Sequence, residues 1–175
     1  MLFLKITKMQ VLYEVKDSVH EGKGVFAQQK IKKGTLIWKR ILGINAKIYT
    51  KESSFKHCAT ISETERNRFL DVAYGDGNDL VFTWDDSQYF NHSNFANCGG
   101  HETEWHDPHC YAIKDIEIGQ ELLEDYRDYD HTNWMIDLYN KYTRMPDFYD
   151  VPSPVETVIL PFPSSSSSPS FKISA

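Results

Sequence analysis

The sequence predicts a mostly β domain with a smaller helical part. Short strand-like runs, in which β-branched and aromatic residues lie next to glycine turns, occur at 12–38 and again at 112–122. A helix-start signature lies between them, near residue 62. The 175-residue chain is 41% hydrophobic and 14% aromatic. It therefore has enough apolar material for one domain with a core, and a second domain is not expected.

The strand elements follow in order along the chain. Residues 12–16 alternate in polarity, and a glycine turn at 22–24 precedes the short apolar stretch 25–27. A Lys-Gly turn within 31–38 leads into a β-branched and aromatic strand. The same arrangement of strand, glycine turn and strand recurs at 112–122. Short strands are therefore expected to dominate both ends of the domain.

Two helices and a tail are predicted. Ser62 stands three residues before Glu65, which is the pattern of a capping box, and apolar residues follow at helical spacing, so we expect a helix over 62–74. Aromatic and aliphatic residues recur every four positions over 133–142, which predicts an amphipathic helix. From 150 to 175 the chain is rich in Pro and Ser and poor in packable residues, and we expect a flexible tail there.

Charge and cysteine content narrow the classes of function. Asp and Glu number 25 against 19 Lys and Arg, for a net charge of -6, which argues against direct nucleic-acid binding and suits a basic partner. The three cysteines form no disulfide framework, and we find no secretory signal and no membrane-spanning stretch. We therefore expect a soluble intracellular protein, with nucleus and cytoplasm left open.

Three motifs carry the chemistry. A Gly-x-Gly turn occupies 22–24. The sequence Tyr-Phe-Asn-His-Ser occupies 89–93 and is followed by Asn97, and Gly-Gln-Glu-Leu-Leu-Glu-Asp-Tyr occupies 119–126. Each motif alone arises by chance, but all three in this order over about a hundred residues rarely do. In their order and separations they resemble the motifs of SET-domain lysine methyltransferases.

The resemblance runs from about Val11 to Tyr126, with an extension to about Tyr142. It implies the SET-domain β-clip of short strands with a helical insert and a C-terminal aromatic helix. The implied division is an N-terminal segment at 1–10, a SET domain at 11–126 with an insert at about 43–80, an aromatic helix within 127–149 that closes the site, and the tail at 150–175.

The resemblance also implies a methyl donor, S-adenosylmethionine, and a lysine side chain that reaches it through an aromatic tunnel. The glycine turn lets main chain approach the donor, because glycine has no Cβ, and the Asn-His pair supplies polar contacts. The implied donor-binding residues are Gly22, Lys23, Gly24, Asn91, His92 and Tyr126. The implied tunnel walls are Tyr89 and Trp134.

The candidate catalytic residues are Tyr126, which the resemblance implies, and Glu124, which its position beside Tyr126 suggests. Tyr126 matches the family's catalytic tyrosine, whose neutral hydroxyl orients the lysine amine. Glu124 departs from the family, which often carries Phe or Tyr there, at a position linked to the number of methyl groups added. Strand alternation puts both side chains on one face. The carboxylate either binds the incoming ammonium or points to solvent at the strand end.

A group of potential metal ligands lies between the second and third motifs. It comprises Cys98, His101, His106, His109 and Cys110. Their spacing is loose for zinc, and they straddle a predicted hairpin in which neighbouring side chains point to opposite faces. We therefore expect no metal site and solvated histidines.

The function implied by the resemblance is protein-lysine N-methylation of a histone or another basic protein. A catalytically silent SET module that binds a peptide or the donor is the first alternative. Gln88, Asn94 and Ala96 replace the Arg, Cys and Pro of the family's signature, and Glu124 replaces the usual Phe or Tyr. A different β-clip protein that binds a small molecule is the second, and the Asn-His-Ser motif counts against it. The oligomeric state is left open.

Overall fold

The computed structural model describes residues 8–101 and 108–142. Short strands make up most of it. They are β1 Tyr13–Asp17, β2 Lys23–Ala27, β3 Leu36–Trp38, β4 Ala46–Tyr49, β5 Tyr74–Asp76, β6 Asp79–Thr83, β7 Asn91–His92, β8 Cys98–Gly99, β9 Cys110–Ala112 and β10 Leu123–Glu124. The α-helices are α1 Lys51–Thr60, α2 Glu63–Val72 and α3 Asn133–Lys141, and 3₁₀ turns occur at Asp86–Tyr89 and Tyr126–Asp128. The predicted mostly β fold is confirmed.

The strands are arranged in small sheets. β1 pairs with β2, β3 and β8 flank β9, and β4 and β5 flank β6, all of them antiparallel. β7 and β10 instead run parallel, with Asn91 opposite Leu123 and His92 opposite Glu124. Parallel neighbours need a long connection, and here β8 and β9 lie within it. The second and third motifs therefore lie side by side.

Two apolar clusters hold these elements together. The first contains side chains of β2, β3, β8 and β9, with Val25, Ile37 and Leu122 fully enclosed. The second lies between β4, β6 and the three α-helices, around Phe69 and Leu138. Removing apolar surface from water is the main driving force for both. The first cluster supports the three motifs, and the second supports the helical insert and α3.

The two predicted helices are present. Ser62 Oγ accepts from Glu65 N at 3.3 Å, and the Glu65 carboxylate accepts from Ser62 N at 3.0 Å, so the capping box that predicted α2 is formed. The predicted helix is confirmed, but it ends at Val72 rather than at 74, because Tyr74 begins β5. The helix predicted over 133–142 corresponds to α3, which turns its aromatic and aliphatic residues into the second cluster.

Sequence analysis did not predict α1. Its residues are mostly polar, and the apolar periodicity that marks an amphipathic helix is weak in them. The helix begins at the cap formed by Thr50, whose hydroxyl accepts from Ser53 N at 3.3 Å. Ser54 and Cys58 are its buried residues. Tertiary packing therefore determines this helix more than local sequence preference does.

Parts of the predicted division lie outside the described residues. These are the tail at 150–175, most of the segment at 1–10 and the end of the segment at 127–149. The limits proposed for the SET domain and its insert stay predictions. Within 8–101 and 108–142, no helix combines the length and the apolar character needed to cross a membrane.

Candidate active site

Asn91 brings the first two motifs together. Its side chain is buried, and its Nδ2 lies 3.1 Å from the carbonyl oxygens of both Glu21 and Lys23. These residues belong to the glycine turn, and they lie 70 and 68 positions from Asn91 in the sequence. The glycine turn and the Asn-His pair, predicted to form one site, are therefore adjacent.

The glycine turn offers main chain on its outer side. Gly22 has a φ of 46°, a conformation that favours glycine, and a methyl group added there would meet open space. Lys23 contributes its carbonyl to Asn91, while its ammonium pairs with Asp17 at 3.1 Å on the surface. The sequence analysis assigned Gly22 and Lys23 to donor binding, and the turn leaves the backbone at Gly22 accessible to a ligand.

Glu121 is a buried carboxylate that the sequence analysis did not assign to the site. One oxygen accepts from Asn91 Nδ2 at 2.7 Å, and the other accepts from Ser18 Oγ at 2.9 Å. A Cβ on Gly24 would lie 2.7 Å from the Glu121 carboxyl carbon, so the glycine allows this carboxylate its place. Glu121 is the Glu of the third motif, and this position in the motif was the available signal. It joins all three motifs.

Asn97 fastens the second motif to the third. Its Nδ2 donates to the Glu121 carbonyl at 2.7 Å, and its Oδ1 accepts from Leu123 N at 2.9 Å. Its own backbone N–H donates to the Leu123 carbonyl at 2.9 Å. Both the nitrogen and the oxygen of the side-chain amide are thus hydrogen-bonded, and Asn97 is 8% exposed. The side chain links the loop that carries it to the backbone at 121–123.

Replacing Asn97 with Ala is expected to lower the free energy of unfolding by about 2 kcal/mol, because it leaves the Glu121 carbonyl and the Leu123 N–H without the side-chain partner. Urea unfolding followed by tryptophan fluorescence measures this change. The matched control is Asn94→Ala, since Asn94 is exposed in the same loop. Equal unfolding curves for the two variants would contradict this role of Asn97.

Tyr126 lies beside the Asn-His pair. Its backbone N donates to His92 Nδ1 at 3.1 Å, and the two rings are 5.4 Å apart. Its hydroxyl donates to the carbonyl oxygen of Phe90. Burial, and then the nearby carboxylates of Glu124 and Glu21, raise the pKa of Tyr126. The phenol is therefore neutral, as the catalytic role assigned to it requires.

The Glu124 carboxylate points into the protein. It accepts a hydrogen bond from the Tyr129 hydroxyl, and one of its oxygens lies within 4.8 Å of the sulfur atoms of Cys98 and Cys110, which are both buried. Burial raises the pKa of Glu124, while the hydrogen bonds from Tyr129 and Cys110 act in the opposite direction. The position is therefore not that of a solvent-directed surface acid. Its catalytic role stays a prediction.

Tyr129 links Glu124 to Tyr126, and sequence analysis missed it because no motif covers it. Strand alternation was expected to align Glu124 and Tyr126, but the strand ends at Glu124 and Tyr126 opens a 3₁₀ turn. Tyr129 follows that turn. Its ring stacks on Tyr126 at 5.6 Å and on Tyr74 at 4.8 Å. The three rings form an aromatic stack, which we name by its members, Tyr74, Tyr129 and Tyr126.

Arg40 contacts Tyr74, which is at one end of the aromatic stack. Its guanidinium pairs with Asp76 at 2.6 Å and hydrogen-bonds the Tyr74 hydroxyl. Burial raises the pKa of Tyr74 to about 12, although Arg40 opposes the shift. The stack is therefore fixed at one end by this ion pair and at the other by the bond from Tyr126 to Phe90.

The potential metal ligands named from the sequence do not lie together as one group. Cys98 and Cys110 meet near Glu124. His109 Nδ1 instead accepts from Arg40 N at 3.3 Å, and the ring of His101 packs edge-on against Tyr111. His106 lies outside the described residues. His101 and His109 both lie outside β8 and β9, the strands that carry the thiols.

The two residues predicted to line the tunnel differ in their surroundings. Tyr89 is partly buried and packs on the first apolar cluster, in the turn that precedes Asn91. Trp134 is 6% exposed, belongs to the second cluster, and donates from Nε1 to Asn78 Oδ1 at 3.1 Å. Its ring neighbour is Phe55 of α1. The tunnel role of both stays a prediction.

Comparison with known proteins finds a matching family and similar solved structures. The SET domain family matches residues 22–127, which is more than half of the chain. A Plasmodium falciparum protein assigned as a histone methyltransferase is 22% identical, with a TM-score of 0.46, and the match covers 72% of this chain and 99% of that one. The Neurospora SET domain protein DIM-5, a histone lysine methyltransferase, is 23% identical, with a TM-score of 0.46, over 68% of this chain and 53% of that one. No curated protein matches the chain significantly. From the family match, this chain belongs to the SET domain family.

Proposed function

We propose that the chain is a protein-lysine N-methyltransferase that uses S-adenosylmethionine. The observation that carries the proposal is the set of hydrogen bonds from Asn91, which joins the glycine turn to Glu121 and the Asn-His pair. Family membership supports methyl transfer as the reaction class. The donor and the lysine substrate are inferred from the chemistry of the site.

The donor supplies a methyl group carried on a positively charged sulfur. The charges of the site suit a cation, since the carboxylates of Glu21, Glu121 and Glu124 all act on Tyr126, and a group of acids favours a bound cation. The open main chain at Gly22 and the side chain of His92 would hold the donor's polar part. Asn91 acts indirectly, by fixing the glycine turn.

The lysine amine must be neutral before it can accept a methyl group. In water at pH 7 this deprotonation costs about 4.6 kcal/mol, and a desolvated pocket reduces that cost because it destabilises the ammonium. The stack of Tyr74, Tyr129 and Tyr126 offers an apolar surface for the lysine stem. The Glu124 carboxylate would bind the ammonium as it arrives.

The Tyr126 hydroxyl would orient the amine. Its hydroxyl hydrogen is donated to the Phe90 carbonyl, and a phenol oxygen can also accept a hydrogen bond, here from an N–H of the lysine. That contact turns the nitrogen lone pair in a fixed direction, and fixed alignment is the main contribution that an enzyme can make to an in-line displacement. Tyr126 itself forms no bond to the methyl group.

We propose a lysine-containing segment of a basic protein as the substrate, and histones are the first class to test. The net charge of -6 supports a basic partner. Ribosomal and other basic proteins satisfy the same charge argument, and both the nucleus and the cytoplasm are consistent with it.

A catalytically silent SET module is the second candidate. One observation favours it: Glu124, at a position where the family often carries Phe or Tyr, is a carboxylate already bonded to Tyr129. Such a pocket could bind an ammonium group without turnover. The retained Tyr126, Asn91 and His92 favour the enzyme.

Donor binding and turnover are tested separately. S-adenosylhomocysteine at a hundred times its Kd is expected to raise the free energy of unfolding by about 2.7 kcal/mol, read as a rise in Tm. Asn91→Ala is expected to lose that rise, and the exposed neighbour Asn94→Ala to keep it. Labelled donor with core histones, and separately with ribosomal proteins, then measures methyl transfer.

The outcomes distinguish the candidates. A rise in Tm together with lysine labelling supports the enzyme. A rise in Tm without labelling of either protein class supports the silent module. If S-adenosylhomocysteine leaves the Tm of the wild-type protein unchanged, the proposal that this site binds the donor is contradicted.

A further inference from the structure

We propose that Cys98, Cys110 and Glu124 form a binding site for a thiophilic divalent ion, of which Zn²⁺ is the natural candidate. The site departs from the sequence prediction of no metal, and it uses none of the histidines considered there. It shares Glu124 with the candidate active site, where the same carboxylate would bind the lysine ammonium, and Glu124 lies opposite His92 in the pair of β7 and β10. It also does not depend on methyl transfer, because its ligands are protein atoms.

The distances suit a small tetrahedral ion. The two sulfur atoms and one Glu124 oxygen all lie within 4.8 Å of one another. Tetrahedral zinc with sulfur at about 2.3 Å places two sulfur ligands about 3.8 Å apart. Closing the group on an ion therefore requires shifts of about 1 Å or less, which side-chain torsions can supply.

The three ligands come from rigid and connected strands. Cys98 lies in β8 and Cys110 in β9, which pair with each other, and Glu124 lies in β10. Cys98 Sγ donates to the Leu123 carbonyl at 3.4 Å, which ties β8 to β10. Cys110 hydrogen-bonds both Cys98 and Glu124. The ligand atoms are thus already turned toward one another.

Burial distinguishes this group from a chance surface cluster. Cys98 is 1% exposed and Cys110 is 3% exposed, while the Glu124 carboxylate faces the thiols. The charged residues that act on the group are acidic: Asp128 acts on Glu124, and Glu124 acts on both thiols. A divalent cation would compensate these charges once the thiols become thiolates.

The ligand types select the ion. Two thiolates favour Zn²⁺ and exclude Mg²⁺ and Ca²⁺, which prefer oxygen ligands. Three protein ligands leave the fourth tetrahedral position to a further ligand such as a water molecule. The bound ion would compete with the Tyr129 hydroxyl for the Glu124 carboxylate, and Tyr129 stacks on Tyr126. Binding of the ion would therefore affect the candidate active site through the ring of Tyr129.

Cobalt titration tests the site without any activity measurement. The full chain, freed of metal with a chelator and kept reduced, is titrated with Co²⁺ while absorption is recorded. One equivalent is expected to produce thiolate-to-cobalt charge-transfer bands and the strong visible bands of tetrahedral Co²⁺, and Zn²⁺ is expected to displace it. Cys98→Ser and Cys110→Ser should each lose most of the charge-transfer intensity.

The chain supplies its own control. Cys58 is also a buried free cysteine, but it lies in the second apolar cluster, so Cys58→Ser should keep the full signal. Glu124→Gln, nearly isosteric, should keep thiolate bands while its affinity for Co²⁺ falls about tenfold or more. The metal-free Tm of each variant shows whether it folds, and the wild-type titration remains decisive if one does not.

Three results would overturn the proposal. The wild-type protein could bind no Co²⁺ with thiolate bands. Cys58→Ser could lose as much intensity as Cys98→Ser. The reduced thiols of Cys98 and Cys110 could instead fail to bind Co²⁺, and removal of the reductant could do no more than oxidise them to a disulfide.

Discussion

Tyr126→Phe is expected to lower the rate of methyl transfer about a hundredfold or more while S-adenosylhomocysteine binding stays unchanged. The substitution removes only the hydroxyl, which donates to the Phe90 carbonyl and would orient the amine. Misalignment of a reacting group costs about this much. The ring remains to stack on Tyr129 and to contact His92, so the loss should fall on kcat.

Tyr13→Phe is the matched control for this variant. Its hydroxyl also makes a side-chain hydrogen bond, at 2.6 Å to Asp86, but it lies away from the aromatic stack. We expect kcat to be kept in Tyr13→Phe. Full activity of Tyr126→Phe would remove Tyr126 from catalysis, and a parallel loss of donor binding would make its role structural.

Gly75→Ala is expected to lower the free energy of unfolding by about 3 kcal/mol or more. A Cβ at this position would overlap the backbone carbonyl of Asp130 and lie 3.1 Å from Met135 Sδ. Backbone cannot turn aside as a side chain can, so either β5 or the segment before α3 must move. The Asp130 side chain also accepts from Gly77 N at 2.6 Å, which fixes that segment further.

Thermal unfolding measures this effect, and a fall of roughly 10 °C in Tm is expected. Gly100→Ala is the control, because Gly100 is exposed and an added Cβ there meets no atom within 4 Å. The same Tm for Gly75→Ala and wild type would mean that Asp130 does not pack as closely as described. Since Asp130 lies just after Tyr129, we expect methyl transfer to fall with stability.

Local signals in the sequence predicted a large part of this fold. The capping box predicted α2 because both of its hydrogen bonds form within four residues. The order of the three motifs predicted that the Asn-His pair and Tyr126 belong to one region, and Tyr126 N does donate to His92 Nδ1. The roles of these residues in a site stay predictions. The aromatic spacing likewise predicted α3.

Contacts between distant residues were beyond the sequence. The Thr50 cap is the local signal at α1, and the weak apolar periodicity after it does not predict a helix. Packing against α3 and β4 stabilises it. Tyr129 hydrogen-bonds Glu124 only because the chain turns at Tyr126. The meeting of Cys98 with Cys110 likewise depends on the pairing of β8 with β9, a register that spacing alone does not give.

The parallel pairing of β7 with β10 also has a consequence for how the protein is made. During synthesis the loop at 91–97 is made well before the segment at 121–126 that pairs with it. The backbone hydrogen bonds between the two segments can form only after both have been made. Such distant pairing closes a long loop, so it slows folding. A nascent chain stopped before Glu121 would lack both partners of the Asn97 side chain, β10 and Tyr126 together. The bonds from Asn91 to the glycine turn need only earlier residues, but the candidate active site could not be complete until this late segment is made.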